Sequence, residues 1–200
     1  MPPSATIDAP EIESSSTDTS TQDDKYNRPF DDSKIIKYGT PEAEVLRRVA
    51  AEVTTVDTNI RALIREMGEL MYTAHGVGLA APQVGKSLRI FVYDAGDGLR
   101  ALINPRLSKF RGEQYEPEEG CLSIPGLRGV VRRAREVNVQ ALDRDGRPVR
   151  FRAVDFEARV IQHEYDHLDG ILFIDHADPK TLHMLTADEQ ASENSEPLAE

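Results

Sequence analysis

The spacing of apolar residues predicts a long amphipathic helix in the first third of the chain. Its apolar positions recur at intervals of three and four residues, which is the spacing of one helix face. They are Ile60, Leu63, Ile64, Met67, Leu70 and Met71. Asp57 lies just before this stripe and is a suitable N-terminal cap, and Gly76 is a suitable residue for the helix end. We therefore expect a helix from Asp57 to Gly76 with its stripe on the core.

Cap residues and glycines predict two further helices. Thr40 precedes a proline, a pair typical of helix starts, so a short helix is expected over 41–50. Asp155 can cap a last helix over 156–168, and Gly170 can close it. The apolar side of this last helix is expected to carry Phe156, Val160 and Ile161.

The residues between these helices predict β-strands. The segments 88–95 and 101–105 are apolar and short, and the proline at the end of the second is expected to terminate it. Residues 137–151 alternate on either side of Asp145-Gly146, which is a hairpin signal. The pattern predicts an α+β fold, with N-terminal helices and antiparallel strands packed around the last helix.

Charge divides the 200-residue chain into a neutral middle and two acidic ends. The net charge is −11. Residues 1–32 hold eight acids and two bases, and the last 13 residues hold five acids and no base. Such segments cannot bury enough apolar surface to offset the entropy of ordering. We expect one domain over 33–186 between disordered acidic tails at 1–32 and 187–200.

Composition also limits where the protein works and what it binds. The single cysteine, Cys121, cannot form an intramolecular disulfide and fits a reducing compartment. No apolar run reaches the roughly 18 residues of a membrane span, and no secretory signal precedes the domain. We therefore expect a cytoplasmic protein without membrane contact. No basic stripe with aromatics indicates nucleic-acid binding, and "VVRRAR" at 130–135 is interpreted as a solvated strand face.

A candidate metal site lies on the last predicted helix, in "QHEYDHLDG" at 162–170. His163 and His167 are four residues apart, so both imidazoles can reach one cation from one helix face. Glu164 lies beside the first histidine and can take a proton from water that the metal acidifies. This helix supplies only two ligands, whereas a catalytic metal usually takes three from the protein.

The third ligand has several candidates. One extension of this motif places a histidine where this chain has Phe173, so that ligand is missing. The other candidates downstream are Glu189, Glu193, His176 and His183. The two glutamates lie in the acidic tail, and the two histidines lie beyond the helix end. Cys121 lies 42 residues upstream between Gly120 and Pro125, and we take it as the best available donor.

Two other functions remain open from these residues alone. A metallopeptidase that cleaves internal peptide bonds would use the same helix with a third ligand other than Cys121. A metal-binding regulatory protein without turnover would need the metal but not the glutamate Glu164.

Three segments, in this order, resemble the peptide deformylase family. They are "GVGLAAPQVG" (76–85), "EGCLS" (119–123) and "QHEYDHLDG" (162–170). "LINP" at 102–105 is also similar to the family, and the resemblance runs from about residue 34 to 180. Three motifs in order are far more specific than one. The resemblance implies a hydrolase that removes the formyl group from N-formylmethionine at the start of new polypeptides and releases formate.

The resemblance also implies a cofactor and partners. It implies one divalent metal held by Cys121, His163 and His167, with Fe(II) the usual occupant and zinc, nickel or cobalt possible. N-formylmethionyl nascent peptides are the expected partners, with a transient contact to the translating ribosome.

Residue roles follow from the same resemblance. Glu164 carries the proton, and the Gln83 amide and the Leu122 backbone N–H stabilise the oxyanion. The expected substrate-binding residues are Val77, Gly78, Gly120 and Arg128. Asp166 either orients a ligand histidine or is a solvated helix acid.

Overall fold

The computed structural model describes residues 29–195, and it has the predicted α+β architecture. The α-helices are α1 (Thr58–Thr73), α2 (Asp155–Leu168) and α3 (Ala187–Ser195). The strands are β1 (Gly78–Ala80), β2 (Ile90–Tyr93), β3 (Arg100–Arg111), β4 (Glu119–Cys121), β5 (Ile124–Gly129), β6 (Glu136–Leu142), β7 (Pro148–Val154) and β8 (His183–Met184). Short 3-10 helices occupy Pro41–Arg47, Ala81–Val84 and Phe173–Asp175. Among the described helices, none is long and apolar enough to cross a membrane.

The strands form two antiparallel sheets. The larger sheet has the order β1-β2-β3-β6-β7, and the smaller has the order β4-β5-β8. Strands β6 and β7 pair from Glu136 with Val154 to Leu142 with Pro148, and Gly146 takes a positive φ of 82° in the turn between them. This confirms the hairpin predicted around Asp145-Gly146. β1 is an edge strand of the larger sheet.

Helices α1 and α2 cover opposite faces of the larger sheet. All four residues of β2 are buried. Ile90 and Val92 share a core cluster with Met67 of α1, whereas Phe91 and Tyr93 share one with Ile161 of α2. Successive residues of a strand point to opposite faces, so each helix packs on its own face. This arrangement holds α2 firmly against the middle of the molecule.

Helix α1 begins where the sequence predicts but ends earlier. The Asp57 carboxylate accepts a hydrogen bond from the Ile60 N–H at 2.9 Å, which confirms the cap. The helix ends at Thr73 instead of Gly76, because His75 leaves the helix with a φ of 51°. Gly76 N–H still donates to the Met71 carbonyl at 2.9 Å, which closes the last turn in the usual way.

Strand β3 continues past the proline that was expected to end it. Pro105 lies inside the strand, next to Asn104 with a φ of 50°, and the pairing with β6 shifts between Ile103 and Arg106. A β-bulge can hold a proline, which has no N–H, because the ladder needs no donor at that position. The prediction of a strand end at Pro105 was therefore wrong.

Two other predicted helix starts also differ. The segment after Thr40 is a 3-10 helix over Pro41–Arg47, and the Thr40 hydroxyl donates to the Lys37 carbonyl instead of capping the helix. Helix α2 starts at Asp155, whose carboxylate accepts from Arg135 and does not cap the helix. Its end at Leu168 agrees with the prediction.

Phe156 was assigned to the apolar side of α2 but is 40% exposed. It lies in the first turn of the helix, and it lines the cavity described below. The other two residues assigned to that side, Val160 and Ile161, are buried as predicted.

Helix α3 occupies part of the segment predicted as a disordered acidic tail. Thr186 and Glu189 form a reciprocal cap at its start: Glu189 N–H donates to the Thr186 hydroxyl at 3.3 Å, and the Glu189 carboxylate accepts from Thr186 N–H at 2.7 Å. This capped helix lies inside the segment 187–200, and the tail limits stay a prediction. Residues 1–28 and 196–200 lie outside the described part.

Candidate metal centre and active site

Helix α2 and strand β4 bring three possible metal ligands together. Cys121 ends β4, while His163 and His167 lie one turn apart on α2. One ligand atom from each residue lies within 4.8 Å of the others, and Cys121 Sγ is 3.3 Å from His167 Nε2. Among the side chains that the structure describes, no other group of three such residues is this close. The cysteine predicted as third ligand is therefore in position.

The competing ligands lie elsewhere. The Phe173 ring stacks on the His163 ring, with their centroids 6.2 Å apart, and packs against it. His176 and His183 are half-exposed, and each lies 3.6 Å from a carboxylate, of Asp166 and Glu118 respectively. The Glu189 carboxylate is exposed and serves the cap of α3, and Glu193 lies in the same helix.

The donor set fits a divalent transition metal. Burial opposes a charge on Cys121, but His167 and His163 lower the pKa of its thiol well below the ordinary value, which favours the thiolate that metals bind. His163 Nδ1 lies 2.9 Å from Glu119 Oε2, so the other ring nitrogen, Nε2, remains available to bind a metal. The buried Glu164 Oε2 has no hydrogen-bond partner among the described residues.

Glu164 is a buried carboxylate beside this cluster. It is 4% exposed, and burial raises its pKa to about 7 although the two histidines act against that rise. A Cβ on Gly78 would lie 2.3 Å from Glu164 Oε1. Glycine is therefore required in β1 for this close approach to the carboxylate. A carboxyl group with a pKa near neutrality can both take and give a proton.

A buried network of charged residues, which was not predicted from the sequence, contacts His163. Glu119 accepts hydrogen bonds from Arg133 Nε and from Arg159 Nη1, both at 2.8 Å. Although burial acts against its charge, the contacts with Arg133 and His163 hold the pKa of Glu119 well below its usual range. Glu119 is in the quoted motif "EGCLS", but its partners come from other elements, so nothing local signals its role.

Two interpretations change because of this network. "VVRRAR" was interpreted as a solvated strand face, but Arg133 is 6% exposed and pairs with Glu119 and Asp166. The Asp166 carboxylate accepts from Arg133 Nη1 at 2.6 Å. The residue hydrogen-bonded to His163 is thus Glu119, whereas Asp166 pairs with Arg133.

The residues predicted for the oxyanion lie at the same centre. Gln83 is 1% exposed; its Oε1 accepts from Ala80 N–H at 2.8 Å, and its Nε2 lies 3.5 Å from Cys121 Sγ. Leu122 follows Cys121 in the turn between β4 and β5. The amide of Gln83 is oriented by its backbone contact, so its N–H₂ end faces the cluster.

A cavity of about 320 Å³ opens onto this centre. Its lining includes the residues predicted to bind substrate, which are Val77, Gly78, Gly120 and Arg128. Cys121, His163 and Glu164 also line it. The Arg128 guanidinium lies against Gly120, where a Cβ would come within 1.4 Å of Nη1. The cavity can therefore present a bound molecule to the ligand cluster and to Glu164.

A family model described as polypeptide deformylase matches residues 32–183. The chain belongs to the peptide deformylase family. It is 48% identical over 144 residues to the peptide deformylase of Pelotomaculum thermopropionicum, covering 72% of this chain and 90% of that protein. It is 53% identical over 144 residues to the peptide deformylase of Halothermothrix orenii, covering 71% of this chain and 91% of the relative.

Solved peptide deformylase structures share the fold. The crystal structure from Thermotoga maritima has a TM-score of 0.69 at 42% identity, and the match covers 72% of this chain and 97% of that one. The structure from Synechococcus elongatus in complex with actinonin has a TM-score of 0.69 at 38% identity, over 85% and 86% of the two chains. The peptide deformylase family consists of metal-dependent hydrolases that remove the N-formyl group from nascent peptides, and this chain has that activity.

Proposed function

We propose that this peptide deformylase removes the formyl group from N-formylmethionyl peptides at the centre formed by Cys121, His163 and His167. The observation that carries the proposal is the convergence of these ligand atoms within 4.8 Å, beside a buried Glu164 and a cavity that reaches both. The metal would be held by the Cys121 thiolate and the two imidazoles.

The proposed occupant is one Fe(II) ion, with zinc, nickel or cobalt as alternatives. One thiolate and two imidazoles suit several of these ions. When bound, such an ion supplies Lewis-acid chemistry, which polarises a carbonyl and lowers the pKa of water. Support for the site comes from the lowered pKa of Cys121 and the bond between His163 and Glu119.

Glu164 is proposed to carry the proton through the reaction. It takes a proton from the attacking water, whose oxygen bonds to the formyl carbon. It then gives the proton to the leaving nitrogen as the C–N bond breaks, so that formate and a free N-terminal amine are released. A pKa of about 7 supports both roles, because general acid–base catalysis is best served by a group near the working pH.

Gln83 Nε2 and the Leu122 backbone N–H are proposed to stabilise the oxyanion. Preorganised donors of this kind contribute roughly 10²–10³-fold each to the rate. The fixed amide of Gln83 and the short turn that holds Leu122 support this assignment.

The peptide part of the substrate is proposed to bind along β1. An edge strand leaves backbone groups free to pair with an extended peptide, and Gly78 lies in that strand. Val77, Gly120 and Arg128 line the adjoining cavity and are proposed to contact the methionine and its neighbours. Because the substrate is a nascent chain, we also propose that the protein works in the cytoplasm and contacts the ribosome transiently.

Formate release from a formyl-Met peptide under anaerobic conditions with Fe(II) tests this function. We expect formate from the wild-type protein and no cleavage of casein. Cys121→Ser is expected to lose metal and activity together. Casein cleavage without formate would favour an internal peptidase instead.

A further inference from the structure

A segment before the first 3-10 helix crosses the rim of the active-site cavity. We call residues 30–38 the strap. Phe30 and Asp32 line the cavity, and Asp31 N–H donates to the Thr73 carbonyl at the end of α1 at 2.9 Å. The strap is therefore fixed to the fold at the cavity mouth, next to the proposed catalytic groups.

The strap lies against a turn that carries one proposed oxyanion donor. Leu122 and Ser123 form the two-residue turn between paired residues Cys121 and Ile124. Two-residue hairpin turns prefer forms with positive φ, which match the twist of the strands. Neither turn residue has a positive φ, and the pairing of β4 with β5 shifts next to the turn, between Cys121 and Glu119. The turn therefore lacks the backbone conformation that two-residue hairpins prefer. Its conformation depends more on hydrogen bonds from other segments.

The strap supplies those contacts from three successive residues. Tyr38 N–H donates to the Ser123 carbonyl at 2.7 Å, and Lys37 Nζ donates to the Leu122 carbonyl at 2.9 Å. Ile36 N–H donates to the Gln83 carbonyl at 2.8 Å. The same short segment therefore holds both residues proposed to bind the oxyanion.

Lys37 is the one side chain among these contacts. Its ammonium also pairs with Asp32 Oδ2 at 2.6 Å, and its side chain is 26% exposed. A charged donor forms a stronger bond to a carbonyl than a neutral one. Asp32 restricts where the ammonium can lie, so the donor is aimed at the Leu122 carbonyl before substrate arrives.

We propose that Lys37 is a positioning residue for the deformylase reaction, because it holds the Leu122 carbonyl and thereby restrains Leu122, whose N–H in the preceding peptide unit meets the oxyanion. This inference rests on the proposed function. Lys37 does not touch the reacting atoms; it acts through the backbone of the turn. Its effect is therefore expected in the chemical step, and much less in substrate binding.

Lys37→Met tests the inference, because methionine keeps most of the apolar stem and removes the donor. We expect kcat for formate release to fall about tenfold, a part of the contribution of a full oxyanion donor. KM is expected to stay within about twofold, since ground-state binding is unchanged. Bound metal per chain is expected to match the wild type.

Two further variants make the test specific. Lys34→Met is the matched control, because Lys34 lies in the strap with an exposed side chain; it is expected to match the wild type. Lys37→Arg keeps a charged donor and is expected to recover kcat to within about threefold. If Lys37→Met unfolds or loses metal, Lys37→Leu replaces it with the same expected kcat, because leucine also lacks a donor.

Three results would overturn the inference. They are a kcat of Lys37→Met equal to that of Lys34→Met, a loss carried by KM, and an arginine variant as slow as the methionine variant. Failure of the proposed function is a separate outcome, since the wild type and Lys34→Met would then also release no formate.

Discussion

Two carboxylates near the metal centre differ in charge because their partners differ. Glu119 contacts Arg133, Arg159 and His163, and the contacts with Arg133 and His163 hold its pKa well below the usual range although burial acts against its charge. Among the described residues no arginine pairs with Glu164, and burial raises its pKa to about 7 against the effect of the two histidines. One group is thus kept charged to orient a ligand, and the other is able to exchange a proton.

Replacing Glu119 tests the orienting role. Glu119→Gln removes the charge between two buried arginines and weakens the bond to His163. We expect metal affinity to fall roughly 10–100-fold, the usual cost of losing such a partner. The free energy of unfolding is expected to fall by roughly 3–5 kcal/mol, because the buried Arg159 loses its counterion and Arg133 keeps only Asp166.

Metal titration and denaturant unfolding measure these two effects. Glu113→Gln is the matched control, since that glutamate is exposed and pairs with Arg132 at 3.3 Å. It is expected to cost about 1 kcal/mol or less. Unchanged metal affinity in Glu119→Gln would show that Glu119 does not orient the ligand.

Several elements could be predicted from local sequence, while others depend on distant partners. The cap at Asp57 and the apolar stripe fix α1, and the alternation around Gly146 fixes the β6–β7 hairpin. The bulge at Pro105 depends on the register with β6, which no local pattern reveals. The early end of α1 depends on His75 adopting a positive φ, which histidine does less readily than glycine.

The close packing of β1 on α2 gives a prediction at the element scale. In Gly78→Ala the new Cβ would lie 2.3 Å from Glu164 Oε1, so the carboxylate must move. Displacement of a catalytic group by about 1 Å can cost on the order of 10²-fold in rate, and we expect kcat/KM to fall about that much.

Steady-state formate release checks the Gly78→Ala prediction, with bound metal measured in the same samples. Gly39→Ala is a suitable control, because its Cβ would meet nothing within 4 Å; its φ of 88° disfavours alanine, so any loss from backbone strain alone appears in this variant. If both variants keep the wild-type kcat/KM, the close approach of β1 to Glu164 has no catalytic importance.

The site as a whole joins two layers of the molecule. Cys121 belongs to the smaller sheet, whereas His163 and His167 belong to the helix on the larger sheet. The motifs in the sequence identify these residues and their order. The ion network around Glu119 could not be predicted, because Arg133 and Arg159 reach it from separate elements. The limits of 33–186 for the catalytic domain stay a prediction.

Because the ligands join two layers, metal removal is expected to destabilise the whole fold. An ion at about 1,000 times its dissociation constant stabilises the native state by about 4 kcal/mol. For a domain of this size that corresponds to a rise in Tm of about ten degrees. Calorimetry with and without a chelator measures the shift, and Cys121→Ser is expected to lose most of it. An unchanged Tm on chelation would mean that no metal links the layers.

The most direct test of the account is formate release by Glu164→Gln with its metal bound. Glutamine keeps the shape of the side chain but cannot carry the proton. We predict wild-type metal content and a kcat lower by about 10²-fold or more, as expected for losing a general acid–base group. Glu66→Gln, on the exposed side of α1, is expected to be fully active. A metal-loaded Glu164→Gln protein that releases formate at the wild-type rate would contradict the account.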